Sequence, residues 1–227
     1  MKKLFSIFLI IVLAISLSSC GSSDKGTEGL EYEAWDGVYW VVGYHGDDIN
    51  VVIPDTYNGV PVKYINEYCF EGSEIQSVKI GNNVEEILEG AFYACSLLKE
   101  VSIPASVKII YAGESTFVID GAFESCVSLE KVVFDRNSQL EKISADAFRY
   151  CENLKEINLP ETLTRIGPSV FSGCTSLKEI SIPASVTDCG KFAFYEFTAD
   201  QTIIICGSTA GWDFDWDEYC EASIIYK

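Results

Sequence analysis

The stretch from Leu154 to Ile182 reads LKEINLPETLTRIGPSVFSGCTSLKEISI and ends on a second copy of its own beginning. The opening module, Leu-x-x-Ile-x-Leu, returns 23 residues later as Leu-x-x-Ile-x-Ile, starting at Leu177. A fixed period of about 20–50 residues is the signature of a solenoid, in which each repeat buries its apolar side against the next one. The period therefore predicts a stack of similar coils.

Five phenylalanines mark further copies of this period, and each is followed nine positions later by a valine or isoleucine. They are Phe92, Phe123, Phe148, Phe171 and Phe194, and cysteines follow the first four after three residues. The spacings between these phenylalanines are 31, 25, 23 and 23 residues. Eight inserted residues between Ile110 and Ala122, and two within 135–139, explain the longer spacings. A shorter copy around Phe70 brings the prediction to six coils.

Each coil is expected to contain two short strands and one buried phenylalanine. The Leu-x-x-Ile-x-Ile segment alternates with period two, which is typical of a strand. A second apolar pair, such as Leu163 and Ile166, predicts another short strand after the proline turn. The Ala-Phe-x-x-Cys segment is expected to form a short helical turn that places its phenylalanine in the core.

The full pattern, Leu-x-x-Ile-x-Ile-Pro-x-Ser-Val-x-x-Ile-x-x-x-Ala-Phe-x-x-Cys, resembles the BspA-like (Treponema-type) bacterial leucine-rich repeats over residues 66–205. The resemblance implies a β-rich leucine-rich repeat solenoid with a right-handed coil. The chain departs from the commoner leucine-rich repeat where an Asn or Cys ladder is usual, because it has Ser106, Thr162 and Ser185 there. A proline turn and the second apolar pair are expected to replace that ladder.

The first twenty residues predict export and lipidation. Two lysines follow Met1, and the apolar run from Leu4 to Leu17 is too short to span a bilayer but has the length of a signal peptide. The sequence Leu-Ser-Ser-Cys that ends at Cys20 is similar to a bacterial lipobox, whose cysteine receives lipid. An ordinary signal peptide with an incidental cysteine is the alternative. We therefore expect a lipoprotein anchored at the bacterial cell envelope, with the cell surface as the favoured side.

The predicted organisation has five parts: a signal peptide (1–19), a lipid-anchored flexible tether (20–29), an N-terminal cap with the first-coil strands (30–65), the repeat array (66–205) and a C-terminal cap (206–227). Within the aromatic-rich N-terminal cap, 38–44 and 49–53 are expected to form a hairpin, and Asn58-Gly59 a tight turn. The C-terminal cap is expected to contain a short helix within 207–219 and a closing strand at 224–226.

The composition excludes some classes of function. The formal charge is −18, and loss of Lys2 and Lys3 with the leader would take it to −20, which disfavours nucleic-acid binding. The charge otherwise favours solubility or cationic and calcium-bridged partners. Asp213, Asp215 and Asp217 have the spacing of a calcium loop but lack its Gly and its Glu, so an EF-hand is rejected. A weaker calcium site or an aromatic patch competes with a cap that buries Trp212 and Trp216.

No catalytic set is recognisable in the sequence, and neither a cofactor nor a metal site is expected. The single histidine, His45, lies in the predicted hairpin turn, and four of the nine cysteines occupy one repeated core position. Buried thiols are therefore favoured over disulfides. Cys206 and Cys220 are the best disulfide candidates, and close Cys-x-x-Cys spacing for zinc does not occur. An enzyme is the least favoured class.

The outward positions of the predicted strands are the candidate ligand-binding surface, as in other solenoids. These positions are Lys79, Glu100, Ser102, Lys131, Glu156, Asn158, Glu179 and Ser181. The inserted segment after Ile110 offers a second candidate edge, with Tyr111, Glu114 and Phe117. A tolerated surface excursion is the alternative for this insertion.

Two functions remain. BspA-like proteins are associated with adhesion, so the resemblance implies a cell-surface lipoprotein that binds a protein or glycan ligand in adhesion or in host–microbe interaction. The alternative is a structural or accessory lipoprotein of a cell-envelope assembly. The expected partners are thus a protein or glycan and, through Cys20, a membrane, with no nucleic acid.

Overall fold

A computed structural model describes residues 26–111 and 120–227, and these contain seventeen β-strands and no helix. Most strands are short and are joined by turns. The strands are β1 (Leu30–Trp35), β2 (Val38–Tyr44), β3 (Asn50–Val52), β4 (Thr56–Tyr57), β5 (Val60–Ile65), β6 (Ser77–Lys79), β7 (Glu86–Ile87), β8 (Glu100–Ile103), β9 (Ile109–Ile110), β10 (Lys131–Phe134), β11 (Lys142–Ile143), β12 (Glu156–Ile157), β13 (Arg165–Ile166), β14 (Glu179–Ile182), β15 (Asp188–Cys189), β16 (Thr202–Ile205) and β17 (Ser223–Tyr226).

The chain follows one path repeatedly through these strands. Each coil passes through a front strand, a short turn, a side strand and a turn that holds the phenylalanine, here called the Phe turn. The front strands are β3, β6, β8, β10, β12, β14, β16 and β17, and the side strands are β2, β5, β7, β9, β11, β13 and β15. Both strands predicted for each coil are thus confirmed.

Neighbouring coils are joined by parallel strand pairing. The side strands form one sheet in chain order, with β1 antiparallel to β2 at its edge. The front strands form two sheets, β3-β6-β8-β10-β12 and β14-β16-β17. The prediction of six coils between two caps is therefore too low. The two segments assigned to the caps add β3 and β17 to the same stack, which makes eight front strands.

The core is a continuous column of stacked aromatic rings. Phe70, Phe92, Phe123, Phe148, Phe171 and Phe194 are fully buried. Consecutive rings have centroid separations from 4.9 to 5.9 Å, and their planes lie within 15° of each other. Inward aliphatic side chains of the front and side strands surround the column. A single coil could not bury such a ring, since both of its faces are covered by neighbouring coils.

The Phe turns are not helical, so the prediction of short helical turns is wrong. Asp146 and Tyr150, two residues on either side of Phe148, have left-handed backbone with φ of 55° and 56°. The N–H of Phe148 donates to the carbonyl of Val170 in the next coil, at 3.0 Å. In a helix that N–H would bond within its own segment. Here the backbone groups are used to join coils.

The N-terminal cap is folded differently from the prediction. The hairpin there is β1-β2, which turns at Asp36 and Gly37, both with positive φ. The predicted hairpin of 38–44 with 49–53 is wrong, because β2 pairs with β5 and β3 pairs with β6, in parallel and in different sheets. The turn at Asn58-Gly59 is confirmed, since it brings Tyr57 opposite Val60.

The C-terminal cap closes the stack with a strand and an indole. The predicted closing strand is confirmed as β17, which pairs in parallel with β16. Trp216 is buried and lies edge-on to Phe194, with centroids 5.9 Å apart. Trp212 is half-buried, and its indole N–H donates to the carbonyl of Val186 at 3.3 Å. The predicted helix within 207–219 is wrong, because this segment consists of turns.

Hydroxyl groups join the coils at the position where other leucine-rich repeats have a ladder. Ser106 Oγ donates to the carbonyl of Val84 at 2.7 Å, and Thr162 Oγ1 donates to that of Leu140 at 2.8 Å. The hydroxyl of Ser185 is buried without a hydrogen-bond partner in the described residues. The ladder is therefore retained in part, with Ser and Thr as donors, alongside the apolar pair.

The repeated cysteines are buried thiols, as predicted. Cys151 Sγ donates to the carbonyl of Phe123 at 3.2 Å, and Cys174 Sγ donates to that of Phe148 at 3.2 Å. Each thiol thus reaches back to the phenylalanine of the preceding coil. Cys206 and Cys220, the candidate disulfide, are both free thiols.

Candidate binding surface

The front strands present their outward side chains in two straight columns, because successive strands pair in register. The first column is Asn50, Ser77, Glu100, Lys131 and Glu156, then Glu179, Thr202 and Ser223 across the break between the two sheets. The second is Val52, Lys79, Ser102 and Val133, then Ser181, Ile204 and Ile225. Seven of the eight predicted strand-face residues lie in these columns, and Asn158 follows β12 as an exposed side chain.

Two ion pairs link neighbouring coils on this face. Lys131 Nζ lies 2.9 Å from the Glu156 carboxylate, and Lys155 Nζ lies 2.8 Å from that of Glu130. Both pairs are in contact with solvent, so they stabilise the fold little. The first pair satisfies two of the predicted binding residues, Lys131 and Glu156, within the face. Glu100 has no ion-pair partner in the described residues and is fully available to a ligand.

A shallow depression lies at the N-terminal end of the front face. Its volume is about 260 Å³. Predicted residues Lys79, Glu100 and Ser102 border it, together with Asn50 and the half-exposed Val52. The depression therefore combines both charges with hydroxyl, amide and apolar groups.

The break between the two front sheets divides the predicted site. Lys79 to Glu156 lie on the first sheet, whereas Glu179 and Ser181 lie on β14 in the second. A second depression, of about 320 Å³, lies between the β10 and β12 coils of the first sheet, with Asn158, Phe134 and Pro160 on its walls. The face thus consists of two ordered parts, each with its strands in register.

The inserted segment is described only at its beginning. The Tyr111 N–H donates to the carbonyl of Ile87 at 2.7 Å, and Lys142 Nζ lies 5.5 Å from the centre of the Tyr111 ring. Glu114 and Phe117 lie outside the described residues. The predicted binding role of this segment stays a prediction.

A cluster of partly buried carboxylates on the Phe-turn side is not predicted from the sequence. The Tyr68 hydroxyl donates to the Asp120 carboxylate at 3.1 Å, and Arg149 Nη1 lies 3.4 Å from Asp146 and 3.8 Å from Glu124. Burial raises the pKa of both Glu124 and Asp146. The residues come from different coils, so only their positions within the repeat could have revealed the cluster.

A second feature that is not predicted from the sequence is an aromatic pocket beside β1 and β2. Glu33, Trp35, Trp40, Val42 and Asn66 line a volume of about 240 Å³. Trp35 is 70% exposed, the highest value of any tryptophan in the described residues. The aromatic density of the N-terminal cap is the sequence signal for this pocket, but the same density also predicts a cap.

The described residues contain few groups suited to catalysis. His45 has an exposed side chain whose Nε2 lies 3.7 Å from the Glu31 carboxylate. Burial raises the pKa of Cys151 and of Cys174, which keeps both thiols protonated at neutral pH. Within 26–111 and 120–227, no group of three or more His, Cys, Asp or Glu side chains is arranged to hold a metal ion.

The predicted anchor lies outside the described part of the chain. Cys20 and the preceding apolar run belong to residues that the structure does not describe. Over the residues it does describe, a helix with the length and apolarity needed to cross a bilayer is not found.

Comparison with protein families agrees with this architecture. The model of the BspA type leucine rich repeat region matches six copies, over residues 50–118 and 116–212. The chain therefore belongs to the BspA-type leucine-rich repeat family. Members of this family form repeat scaffolds suited to interaction with other proteins. The search of curated proteins found no match.

Solved structures share the fold. A leucine rich repeat protein of T. pallidum is 24% identical, with a TM-score of 0.59 over 90% of this chain and 84% of that one. A leucine rich cell surface protein of Faecalibacterium prausnitzii A2-165 is 27% identical, with a TM-score of 0.59 over 81% of this chain and 55% of that one. The pneumococcal vaccine antigen PcpA is 19% identical, with a TM-score of 0.52 over 82% and 54%. The chain spans about half the length of the last two proteins.

Proposed function

We propose that this protein is an exported binding module whose front face holds a protein or glycan ligand in adhesion or host–microbe contact. The observation that carries the proposal is the pair of in-register columns on the front strands. Each coil adds outward side chains at a spacing of about 4.8 Å, which gives a long, evenly spaced array with a polar first column and a second column of mixed polar and apolar groups. Such arrays are the usual binding surfaces of solenoids.

Export and surface location are part of the proposal. The similar protein of Faecalibacterium prausnitzii A2-165 is described as a cell surface protein, and the leader with Cys20 fits a lipid anchor. Growth with labelled fatty acid should label the wild-type chain and leave Cys20→Ala unlabelled. Equal labelling of both would contradict lipidation at this residue.

The binding role of the front face is tested by charge reversal. Glu100 borders the depression between Lys79 and Ser102, so Glu100→Lys should weaken ligand binding about tenfold, equivalent to about 1.4 kcal/mol. Cells that express the full chain would be assayed on immobilised host matrix proteins and glycans. Glu141→Lys makes the same charge change at an exposed position beside side strand β11 and should bind like wild type. An equal loss of ligand binding in both variants would show that the change in net charge is the cause.

The alternative, an accessory lipoprotein of an envelope assembly, is favoured by the two outward columns of the front face, since none of their residues is aromatic. Protease treatment of intact cells separates the two functions. Loss of the protein from intact cells supports adhesion. Complete protection, together with capture of envelope proteins by the wild type but not by Glu100→Lys, supports the accessory role.

A further inference from the structure

The aromatic pocket at the N-terminal end of the side sheet has an ordered wall. Strand pairing places Trp40 opposite Glu33 on β1 and opposite Tyr64 on β5. The Tyr64 ring stacks on Trp40 with centroids 4.3 Å apart and planes inclined by 31°. Because Tyr64 supports one side of the indole, Trp40 is held in position before any ligand arrives. Trp35, two residues beyond Glu33 on the same strand, adds a second and largely exposed indole.

Polar groups complete the pocket. Asn66 is fixed by its backbone, since its N–H donates to the carbonyl of Val41 at 2.9 Å, and its side chain lies at the pocket wall. Glu33 supplies a carboxylate that accepts hydrogen bonds, whereas the Asn66 amide both donates and accepts. The Trp40 indole N–H is buried without an acceptor in the described residues. An unmet buried donor costs about 1–3 kcal/mol, so the Trp40 indole has hydrogen-bonding capacity that the described residues leave unused.

This combination of groups is specific to one end of the molecule. Along the same outward column of the side sheet, Trp40 and Tyr64 are followed by Glu86, Ile109, Lys142, Arg165 and Asp188. The middle and far end of the column are therefore mainly charged. If the aromatic residues served only to cover the side sheet, later coils would need them equally. Capping does not require these outward indoles, because the cap has a separate aromatic cluster in which the rings of Tyr32 and Tyr57 stack with centroids 4.0 Å apart.

The chemistry of the pocket favours an uncharged, hydroxyl-rich ligand. A cationic ligand would be enclosed by several rings, as in aromatic cages, but here one side of Trp40 is occupied by Tyr64 and Trp35 makes no ring contact with Trp40. An anionic lipid surface or an acidic glycan would be repelled by Glu33 and by the formal charge of −18. A sugar ring has apolar C–H faces for the indoles and hydroxyls for Glu33 and Asn66.

We propose that the pocket lined by Glu33, Trp35, Trp40, Val42 and Asn66 binds one ring of a neutral carbohydrate. Its volume of about 240 Å³ lies below the range of about 300–1,000 Å³ found for drug-sized ligands, which fits a single ring of a longer chain. The site lies on the side sheet, away from the front columns. It therefore stands or falls independently of the proposed front-face function.

The test follows the indole N–H resonances of the full chain, with isotope-labelled tryptophans, in polyoxyethylene detergent micelles. The ligands are the methyl glycosides of glucose, galactose, mannose and N-acetylglucosamine, together with linear trimers of the same sugars. At least one of them should produce saturable shifts at Trp35 and Trp40, with a dissociation constant on the order of 1 mM for the single sugar. The resonances of Trp212 and Trp216 should not move.

Three variants make the test specific. Trp35→Ala removes an exposed side chain that the core does not need, so the protein should stay folded and lose sugar affinity at least tenfold. Glu33→Gln replaces a charged acceptor with a neutral one and should weaken binding by a factor of about three to ten. Phe214→Ala removes another exposed aromatic side chain, at the opposite end of the chain, and should bind sugar like wild type.

Several results would overturn the proposal. One is the lack of a saturable shift at Trp35 and Trp40 with every neutral sugar. Another is a response to choline or to phosphatidylcholine vesicles without a response to sugar, which would identify a cation or membrane contact. An equal loss of sugar affinity in Trp35→Ala and Phe214→Ala would show that sugars stack non-specifically on exposed aromatic side chains. Glu100→Lys should leave the sugar shifts unchanged, so failure of the front-face function is distinguishable from failure of this one.

Discussion

At the residue scale, the fold depends on side chains that each serve two coils. Phe148 stacks between Phe123 and Phe171, with centroid separations of 5.4 and 5.9 Å. Its carbonyl accepts a hydrogen bond from the thiol of Cys174 in the following coil. One residue therefore contributes to three coils through its ring and its backbone. The same arrangement recurs along the stack, which explains why the phenylalanine and cysteine positions repeat together.

Removing one ring from the middle of the column should be costly. Phe148→Ala is expected to lower the free energy of unfolding by about 3–5 kcal/mol, because both neighbouring rings lose a face and a cavity remains. Equilibrium denaturation measures the change. Phe214→Ala, at a side chain that is 96% exposed, serves as control and should change stability by less than about 0.5 kcal/mol. An unmoved transition for Phe148→Ala would contradict the stacked core.

The buried thiols predict instability at alkaline pH. Burial raises the pKa of Cys151, Cys174 and Cys189 above the ordinary value of 9.0. These thiols therefore ionise at a lower pH in the unfolded chain than in the folded protein. Their contribution to stability is complete below about pH 9 and is lost as the pH rises further, by about 1.4 kcal/mol per thiol and pH unit. Denaturation between about pH 8 and about pH 10.5 should show this decline.

Cysteine variants identify the groups responsible for the alkaline decline. Cys174→Ala should reduce the slope of stability against pH by about 1.4 kcal/mol per pH unit, the contribution of one proton, whereas Phe214→Ala, which removes an exposed side chain that does not titrate, should leave the slope as it is. Stability that stays constant through this pH range in the wild type would show that the thiols are not buried.

At the element scale, the Phe turn is the unit that sets how closely coils approach. Its backbone alternates between bonds within the turn and bonds to the next coil: the Cys151 N–H donates to Phe148 at 3.2 Å, and the Tyr150 N–H donates to Ser172 at 2.8 Å. Non-glycine residues such as Asp146 and Tyr150 adopt left-handed backbone for this purpose, a conformation that costs about 1–2 kcal/mol each. The cost is offset because the inter-coil bonds are buried and satisfied.

A glycine at this contact should not tolerate a side chain. A Cβ built on Gly121 would lie 1.8 Å from the carbonyl oxygen of Asp146, which is backbone and cannot rotate away. Gly121→Ala should therefore lower the free energy of unfolding by more than about 3 kcal/mol, measured by denaturation. Gly37→Ala is the control, because its Cβ meets nothing within 4 Å and only its φ of 78° is unfavourable, which costs about 1 kcal/mol. Similar losses in both would show that backbone conformation, rather than close packing, governs the turn.

At the scale of the whole molecule, stability is shared between neighbouring coils. The coils at Leu154 and Leu177 are 23 residues apart and use the same inward positions, so either one presents the same surface to its neighbours. A repeat array of this kind behaves as a sum of coil and interface contributions. Its length is therefore adjustable in whole coils.

Deletion of one entire coil should preserve the fold. Removal of residues 154–176 joins Asn153 to Leu177 and places β14 beside β10 and Phe194 beside Phe148. The variant should keep its β-sheet circular dichroism and unfold cooperatively at a lower denaturant concentration. Removal of residues 154–165, about half a coil, should abolish the cooperative transition, because every later residue would fall on the wrong face. Equal behaviour of the two deletions would contradict the coil register.

The sequence by itself determined the repeat unit, its buried phenylalanines and the two strands of each coil, because periodic burial is recorded in the period of the apolar residues. It could not determine that 38–44 and 49–53 belong to different sheets, since both alternate like hairpin strands and only their parallel partners, β5 and β6, distinguish the two arrangements. The sequence could not determine the non-helical Phe turns either, because the backbone hydrogen bonds that shape them go to the next coil. The front columns follow from the repeat, whereas the pocket at Trp35 and Trp40 required tertiary structure, since it combines residues of β1 and β2 with Asn66, which follows β5, and the pairing of β2 with β5 is not specified by any local pattern.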